Sequence, residues 1–368
     1  MPTIEGRLTS ACRQACGTVY TAHDALGSTE PAFLRQRKDP MRRSTSWVSV
    51  TLLSWMLLPG AILLLPGQAM ADVIISDWRG RSASFTEGAV DSNGVKVVYH
   101  TAGAGPLVIF VHSITGPWFD FRHQMVALAQ RYRVVSMSTR GTDKSDKPVG
   151  VEHYASAKIA DDLNALIDHF REDKAIIIGQ DSGGLHAWHF AMTYPERTDR
   201  LISLGSIHPA GLIRELISNP DQQRASTFQR GMQENPGAGA AFGERLRNRS
   251  ATSGEPAELA QLRKDAYARL DPESIVNFYK ANWPTSPVTL ETEAFGFKLG
   301  EFPPVTPPTL FIYGKDSGPF QNSTLNDIWE WVDGDLTIHV LPGVGHNPHT
   351  QAPEFVTPRI LEWLTTSR

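Results

Sequence analysis

The stretch IIIGQDSGGLHAW, residues 176–188, passes from an apolar strand-like run through small residues into a helix-like segment, with Asp181 and Ser182 side by side at the junction. Either side chain could act as a nucleophile, and the two imply different chemistry. A serine suits ester or amide carbonyls. An aspartate suits a saturated carbon, as in an epoxide or an alkyl halide, because carboxylate attack on an ester would give a strained mixed anhydride. A nucleophile on a sharp strand-to-helix turn needs small residues two positions before and two positions after it. Gly179 and Gly183 satisfy this for Asp181, whereas Gln180 fails it for Ser182. A plain glycine turn with Asp181 as the helix N-cap also fits these residues.

Working outward, SASFTEGAV and KVVYHTAG alternate in polarity around an Asn-Gly turn and read as a β-hairpin. PLVIFVHS, RVVSMS, AIIIGQ and RLISLGS are continuous apolar runs, as expected of strands buried on both faces. Between them, FDFRHQMVALAQRY, AKIADDLNALIDHF (with Ile159, Leu163, Leu166 and Ile167 along one face) and GGLHAWHFAMTY carry helical spacing. This alternation predicts a parallel sheet covered by helices. From about residue 208 to 303 no buried strand is legible, only helical patches such as PAELAQLRKDAYARL and PESIVNFYKANW. Strand signals return with TLFIYGK and LTIHVLPG, separated by an expected helix around LNDIWEWV and followed by a closing helix, PEFVTPRILEWL. Asp316 follows the first of these strands and His346 the second. Taken singly, Asp316 could cap a turn and His346 could be an ordinary loop histidine.

The 368 residues carry a formal net charge of −4 and no long basic run, so nucleic acid is not an expected partner. Cys12 and Cys16 are the only cysteines, and the histidines lack metal-binding spacing; no disulfide framework, metal or cofactor is expected. Residues 1–40 read as an irregular extension, with Met41 as the expected true start. From Met41 the chain shows Arg42 and Arg43, an apolar run to Leu65, and Ala69-Met70-Ala71 before Asp72. This is the layout of an export signal over residues 41–71. The apolar run is also long enough to anchor in a bilayer if it stays uncleaved, which is the only membrane association expected. Export to the periplasm or medium follows from the cleaved reading. The expected divisions are then a core from 72 to 207, a helical cap from 208 to 303 and a second core segment from 304 to 368.

Three stretches resemble the α/β-hydrolase superfamily, in particular its Asp-nucleophile branch of epoxide hydrolases and dehalogenases. FVHSITGPWFDFRHQM is similar to that family's oxyanion loop, TRGTDKSDKP to its RGxGxSDKP stretch, and GQDSGGLHAWHFAMTYPERTDRLISL to its GHDxGG elbow and the helix and strand that follow. The resemblance implies a mostly parallel, eight-stranded sheet flanked by helices, with a helical cap inserted where the strand signal lapses. It implies Asp181 as nucleophile, Asp316 and His346 as its acid and base, and the backbone N–H groups of Ile114 and Ser182 as oxyanion donors. A pair of cap tyrosines would hold the epoxide oxygen. IVNFYKANW places Tyr279 at one of these positions; Phe228 stands at the other, and Tyr267 is the available substitute. Trp118, Phe228 and Tyr267 are expected at the substrate, and the aromatics of the cap suggest a small apolar one. Departures from the family pattern are Ser113 after the loop histidine in place of glycine, and Ser182 where tryptophan is common. The latter disfavours haloalkane dehalogenation, while Ser182 and Leu185, in place of arginines, disfavour small haloacids. Epoxide hydrolysis to a diol is the activity the resemblance implies. Dehalogenation by the same nucleophile, a Ser182-dependent esterase and a non-catalytic binding protein stand as alternatives.

Overall fold

Strand Leu107–Val111 is apolar at every position because it is wanted on both faces. Leu107, Ile109 and Val111 join one core, whereas Val108 and Phe110 join the other. Ala175 and Ile177 against Ile176 and Ile178 repeat the division on strand Ala175–Gln180. The computed structural model describes residues 72–250 and 255–366, side chains excepted at 249 and 250. All belong to one compact unit, Leu65–Arg368; the other unit, Met1–Leu64, lies outside the described residues, as do the expected extension and export signal.

The chain begins with three antiparallel strands, β1 (Val73–Ser76), β2 (Ser82–Ser92) and β3 (Val95–Ala102). The hairpin between β2 and β3 turns at Asn93 and Gly94, both at positive φ, as its Asn-Gly sequence demands. There follow β4 (Leu107–Val111), α1 (Arg122–Leu128), β5 (Arg133–Met137), α2 (Ser156–His169), β6 (Ala175–Gln180), α3 (Ser182–Thr193) and β7 (Thr198–Leu204). Six helices come next: α4 (Pro209–Ser218), α5 (Pro220–Ala225), α6 (Thr227–Glu234), α7 (Ala238–Ser250), α8 (Ala257–Ala268) and α9 (Pro272–Asn282). A two-residue hairpin, β8 (Glu293–Ala294) with β9 (Phe297–Lys298), closes this block. The core then resumes with β10 (Thr309–Gly314), β11 (Leu336–Leu341), α10 (Pro348–Gln351) and α11 (Pro353–Thr366). The main sheet has the order β1-β2-β3-β5-β4-β6-β7-β10-β11, parallel from β5 to β11.

Two expectations need correction. The sheet has nine strands rather than eight, because β1 adds an edge by pairing Val73–Ser76 with Ser82–Phe85. The segment LNDIWEWV forms no α-helix. It makes two short 3₁₀ turns, Asn322–Leu325 and Ile328–Glu330, broken by Asp327 at φ 58°; Ile328 is buried but Trp329 faces solvent.

The loop after β5 is fastened to α2 by a buried ion pair. Arg140 donates from Nε to Asp162 Oδ2 (2.9 Å) and from Nη2 to Oδ1 (2.5 Å), and from Nη1 to the His153 carbonyl (3.1 Å). Asp162→Ala would leave a guanidinium buried without its counter-ion. Urea denaturation is expected to show a loss of about 3–5 kcal/mol, and an unchanged midpoint would contradict this account of the loop.

Candidate active site

The elbow lies between β6 and α3. Asp181 sits at φ 51° and ψ −125°, a strained conformation for a residue with a Cβ, and its side chain projects from the C-terminal end of the sheet. Small neighbours are needed because the turn packs backbone on backbone. A Cβ on Gly183 would lie 2.1 Å from the Val111 carbonyl oxygen and 2.5 Å from that of His112; one on Gly179 would lie 2.5 Å from the Gly183 carbonyl oxygen. Asp181 is thus the first residue before the helix, but its side chain makes no N-cap bond to it at N2 or N3.

The Asp181 carboxylate is held from both sides. His346 Nε2 stands 3.1 Å from Oδ1, and the Ser113 hydroxyl donates to Oδ2 at 2.7 Å. Burial pushes the carboxyl pKa up, but the bonds and charge from His346, with donation from Ser113 and the Ser182 N–H, outweigh it and hold Asp181 below the usual carboxylate range. An ionised carboxylate only accepts, so the proton between Asp181 and His346 resides on Nε2. The side chain is a quarter exposed and opens on a cavity of about 490 Å³.

The residue expected to orient His346 does not reach it. After β10 the chain turns, with the Ser317 N–H donating to the Gly314 carbonyl, so that Asp316 is sent into solvent and Ser317 faces inward. His346 Nδ1 therefore meets the Ser317 hydroxyl at 3.3 Å, and the His346 ring lies edge-on to Phe320 at 5.4 Å. Among the described residues, Asp181 is the only carboxylate within ion-pair distance of His346.

The oxyanion donors are also rearranged. Ser182 turns its N–H toward the Asp181 carboxylate, but the Ile114 N–H donates to the Ser182 hydroxyl at 2.7 Å and is already engaged. Beneath them, buried His112 donates from Nδ1 to the Ser113 carbonyl (2.6 Å), and its Nε2 accepts from the Thr139 N–H (3.3 Å), which fixes the loop that carries Ser113. The Ser113 hydroxyl, in place of the family's glycine, is a contact to the nucleophile that a sequence reading registers only as a departure.

The cap contributes two tyrosines. Tyr279, on α9, is buried against Phe228, Phe278 and Trp283. Burial, and then the charge of Asp181, push its hydroxyl pKa well above the ordinary value, so it stays protonated beside that carboxylate. Tyr267, on α8, lines the cavity together with Asp181 and His346. Its pKa too is raised by burial and then by Asp120. Neither Tyr279 nor Phe228, whose ring packs edge-on against it, belongs to the lining of this cavity. Trp118 is not at the cavity either: it is buried in the core and stacked on His100 with ring centroids 3.7 Å apart.

The cavity wall is more polar than the cap aromatics suggested. Arg263 of α8 donates to Asp120 (2.9 Å) and makes two bonds to Glu255 (2.8 and 2.6 Å), tying the cap to the core loop ahead of α1. Asp120, Glu255 and Arg263 are far apart in sequence, which is why their convergence is invisible there. No cluster of His, Cys, Asp and Glu able to hold a metal occurs among the described residues, nor does a helix there have the length and apolarity to cross a membrane.

A model of the α/β hydrolase fold matches residues 106–353. The chain belongs to the α/β-hydrolase family. Over 123 residues it is 38% identical to AB hydrolase superfamily protein YfhM of Bacillus subtilis, covering 33% of this chain and 43% of that protein. Over 123 residues it is also 35% identical to epoxide hydrolase 1 of Caenorhabditis elegans, covering 33% of this chain and 30% of that protein. The chain thus spans less than half the length of these two relatives. A longer match, 27% identity over 292 residues, covers 70% each of this chain and of epoxide hydrolase 3 of Mus musculus. The fold is similar to the crystal structure of a Bacillus megaterium epoxide hydrolase in complex with an inhibitor, with a TM-score of 0.66 at 24% identity, covering 76% of this chain and 100% of that one.

The tight seat of α3 on β4 gives a direct test. Gly183→Ala would force the helix off the Val111 carbonyl, with an expected loss of about 1–3 kcal/mol in urea denaturation. A gain in stability, as for an ordinary exposed helical glycine, would show that the close contact does not exist.

Proposed function

We propose that this α/β hydrolase opens epoxides to diols through a covalent ester on Asp181. The observation that carries the proposal is an aspartate carboxylate on a strained elbow, bonded to His346 Nε2 and opening on a cavity that Tyr267 of the cap also lines, with the protonated Tyr279 near enough to feel its charge. In the first step an Asp181 carboxylate oxygen bonds to a ring carbon as the carbon–oxygen bond of the epoxide breaks. The departing oxygen is protonated by Tyr279 or Tyr267. A phenol with a raised pKa holds its proton until an alkoxide forms, and such assistance is typically worth about 100- to 10,000-fold. In the second step water adds to the carbonyl carbon of the ester while His346 takes its proton. Collapse returns the Asp181 carboxylate and releases the diol, and the proton held by His346 passes back to the tyrosinate left by the first step. The Ser182 N–H and the Ser113 hydroxyl are the donors set to hold the oxyanion; Ile114 supports them through the Ser182 hydroxyl.

Ser182 is poorly placed for the esterase reading. Its hydroxyl accepts from the Ile114 N–H and lies 3.5 Å from Ser113 Oγ, while His346 points at Asp181. Asp181→Asn should therefore reduce diol formation to background. Ser182→Ala should cost no more than about tenfold, the worth of one hydrogen bond. With His346→Gln, peptide mass spectrometry should find an epoxide adduct on Asp181. The reverse pattern, with Ser182 essential and Asp181 dispensable, would return the protein to the esterases.

We further propose export directed by residues 41–71, supported by Arg42, Arg43, the apolar run to Leu65 and Ala69-Met70-Ala71. N-terminal sequencing of protein recovered from a bacterial periplasm should begin at Asp72. Recovery only from membranes, with the run intact, would make it an anchor.

A further inference from the structure

The base of this site lacks the charged partner that its chemistry would use. We infer that Ser317, not Asp316, is the positioning residue for His346, and that it acts on hydrolysis of the Asp181 ester rather than on its formation. The inference rests on the covalent reading above. Its basis is geometric: Ser317 is buried with its hydroxyl 3.3 Å from His346 Nδ1, and Asp316 points into solvent.

A hydroxyl differs from a carboxylate here in two ways. It can donate or accept, so it can serve both forms of the ring that the reaction needs. With Asp181 ionised, Nε2 carries a proton toward that carboxylate. Once Asp181 is an ester its charge is gone, and Nε2 must be bare to take a proton from water. The ring proton then sits on Nδ1 and is donated to Ser317 Oγ. The second difference concerns charge. When water adds to the ester carbon and gives its proton to Nε2, the ring becomes an imidazolium. The one carboxylate within reach among the described residues, Asp181, is at that moment esterified. Ser317 contributes only a neutral hydrogen bond to that cation, where an ionised partner would give a charge-assisted one. The first step makes no such demand, because it draws on the carboxylate and the cap tyrosines rather than on His346 as a base. The imbalance therefore falls on ester breakdown alone.

The test separates the two half-reactions in the full mature chain. An aryl epoxide is mixed with enzyme in excess, and the Asp181 adduct is followed by quenched-flow mass spectrometry for the unaltered protein and for Ser317→Ala, Ser317→Thr, Ser317→Asp and Asp316→Asn. Ser317→Ala should slow decay of the adduct about three- to tenfold, and Ser317→Thr, which keeps the hydroxyl, should restore it. Ser317→Asp should speed decay roughly tenfold, as expected for a charge-assisted bond in place of a neutral one. All should form adduct at the same rate, which shows that the elbow and cap are intact. Asp316→Asn should change neither step. Decay unaffected by Ser317→Ala and Ser317→Asp, or slowed by Asp316→Asn, would overturn the assignment of Ser317 while leaving Asp181 as nucleophile. Absence of any adduct, even with His346→Gln, would overturn the covalent reading itself and this inference with it.

Discussion

The turn at Asp181 holds its backbone at φ 51° and ψ −125°, and the glycines around it let α3 press so closely on β4 that the turn has no other way to go. Such a conformation costs about 1–3 kcal/mol. It persists because the parallel strands beneath it are buried on both faces and transmit no slack. From that constraint the rest of the site follows. The Asp181 carboxylate is lifted off the end of the sheet, the first N–H of α3 is turned toward it, and the loop after β4 comes within one hydroxyl's length, so that Ser113 can bond to it.

Burial works against an ionised carboxylate at this position, and three donors reverse its effect. The same burial acts on Tyr279, where the nearby charge of Asp181 reinforces it. One environment therefore keeps the aspartate ionised and the tyrosine protonated, the two states that the proposed ring opening requires. The side of the cavity under α8 has a different character. There Arg263 bonds to Asp120 and Glu255, so cap and core are joined by ion pairs at the cavity that Asp181 lines. The cavity thus presents polar groups along its wall, while the aromatic packing around Tyr279 lies outside its lining.

The strands and helices of the core were legible because their periods are distinct: continuous apolar runs for β4 to β7, helical spacing for α2, and an Asn-Gly turn for the hairpin. The elbow was legible for the same kind of local reason, since only a residue flanked by glycines two positions away fits a strand-to-helix turn. The added edge strand Val73–Ser76 was missed because it is short and its pairing with β2 is its main signal. The missing helix at 325–332 shows the opposite error. Its apolar residues suggested a face, but Asp327 in the left-handed region breaks the path.

The sequence by itself determined the alternation of strands and helices and the placement of Asp181 and His346 after strands, because each follows from local periodicity and turn chemistry. Only the tertiary structure decided which side chain faces His346 Nδ1. Asp316 and Ser317 are neighbours, and one turn after β10 selects which of them faces the ring. It likewise decided that Trp118 belongs to the core, that the Ile114 N–H is engaged by Ser182, and that Asp120, Glu255 and Arg263 converge. Those outcomes depend on the direction in which a loop delivers its side chains and on contacts between distant segments, and neither leaves a mark on local residue patterns.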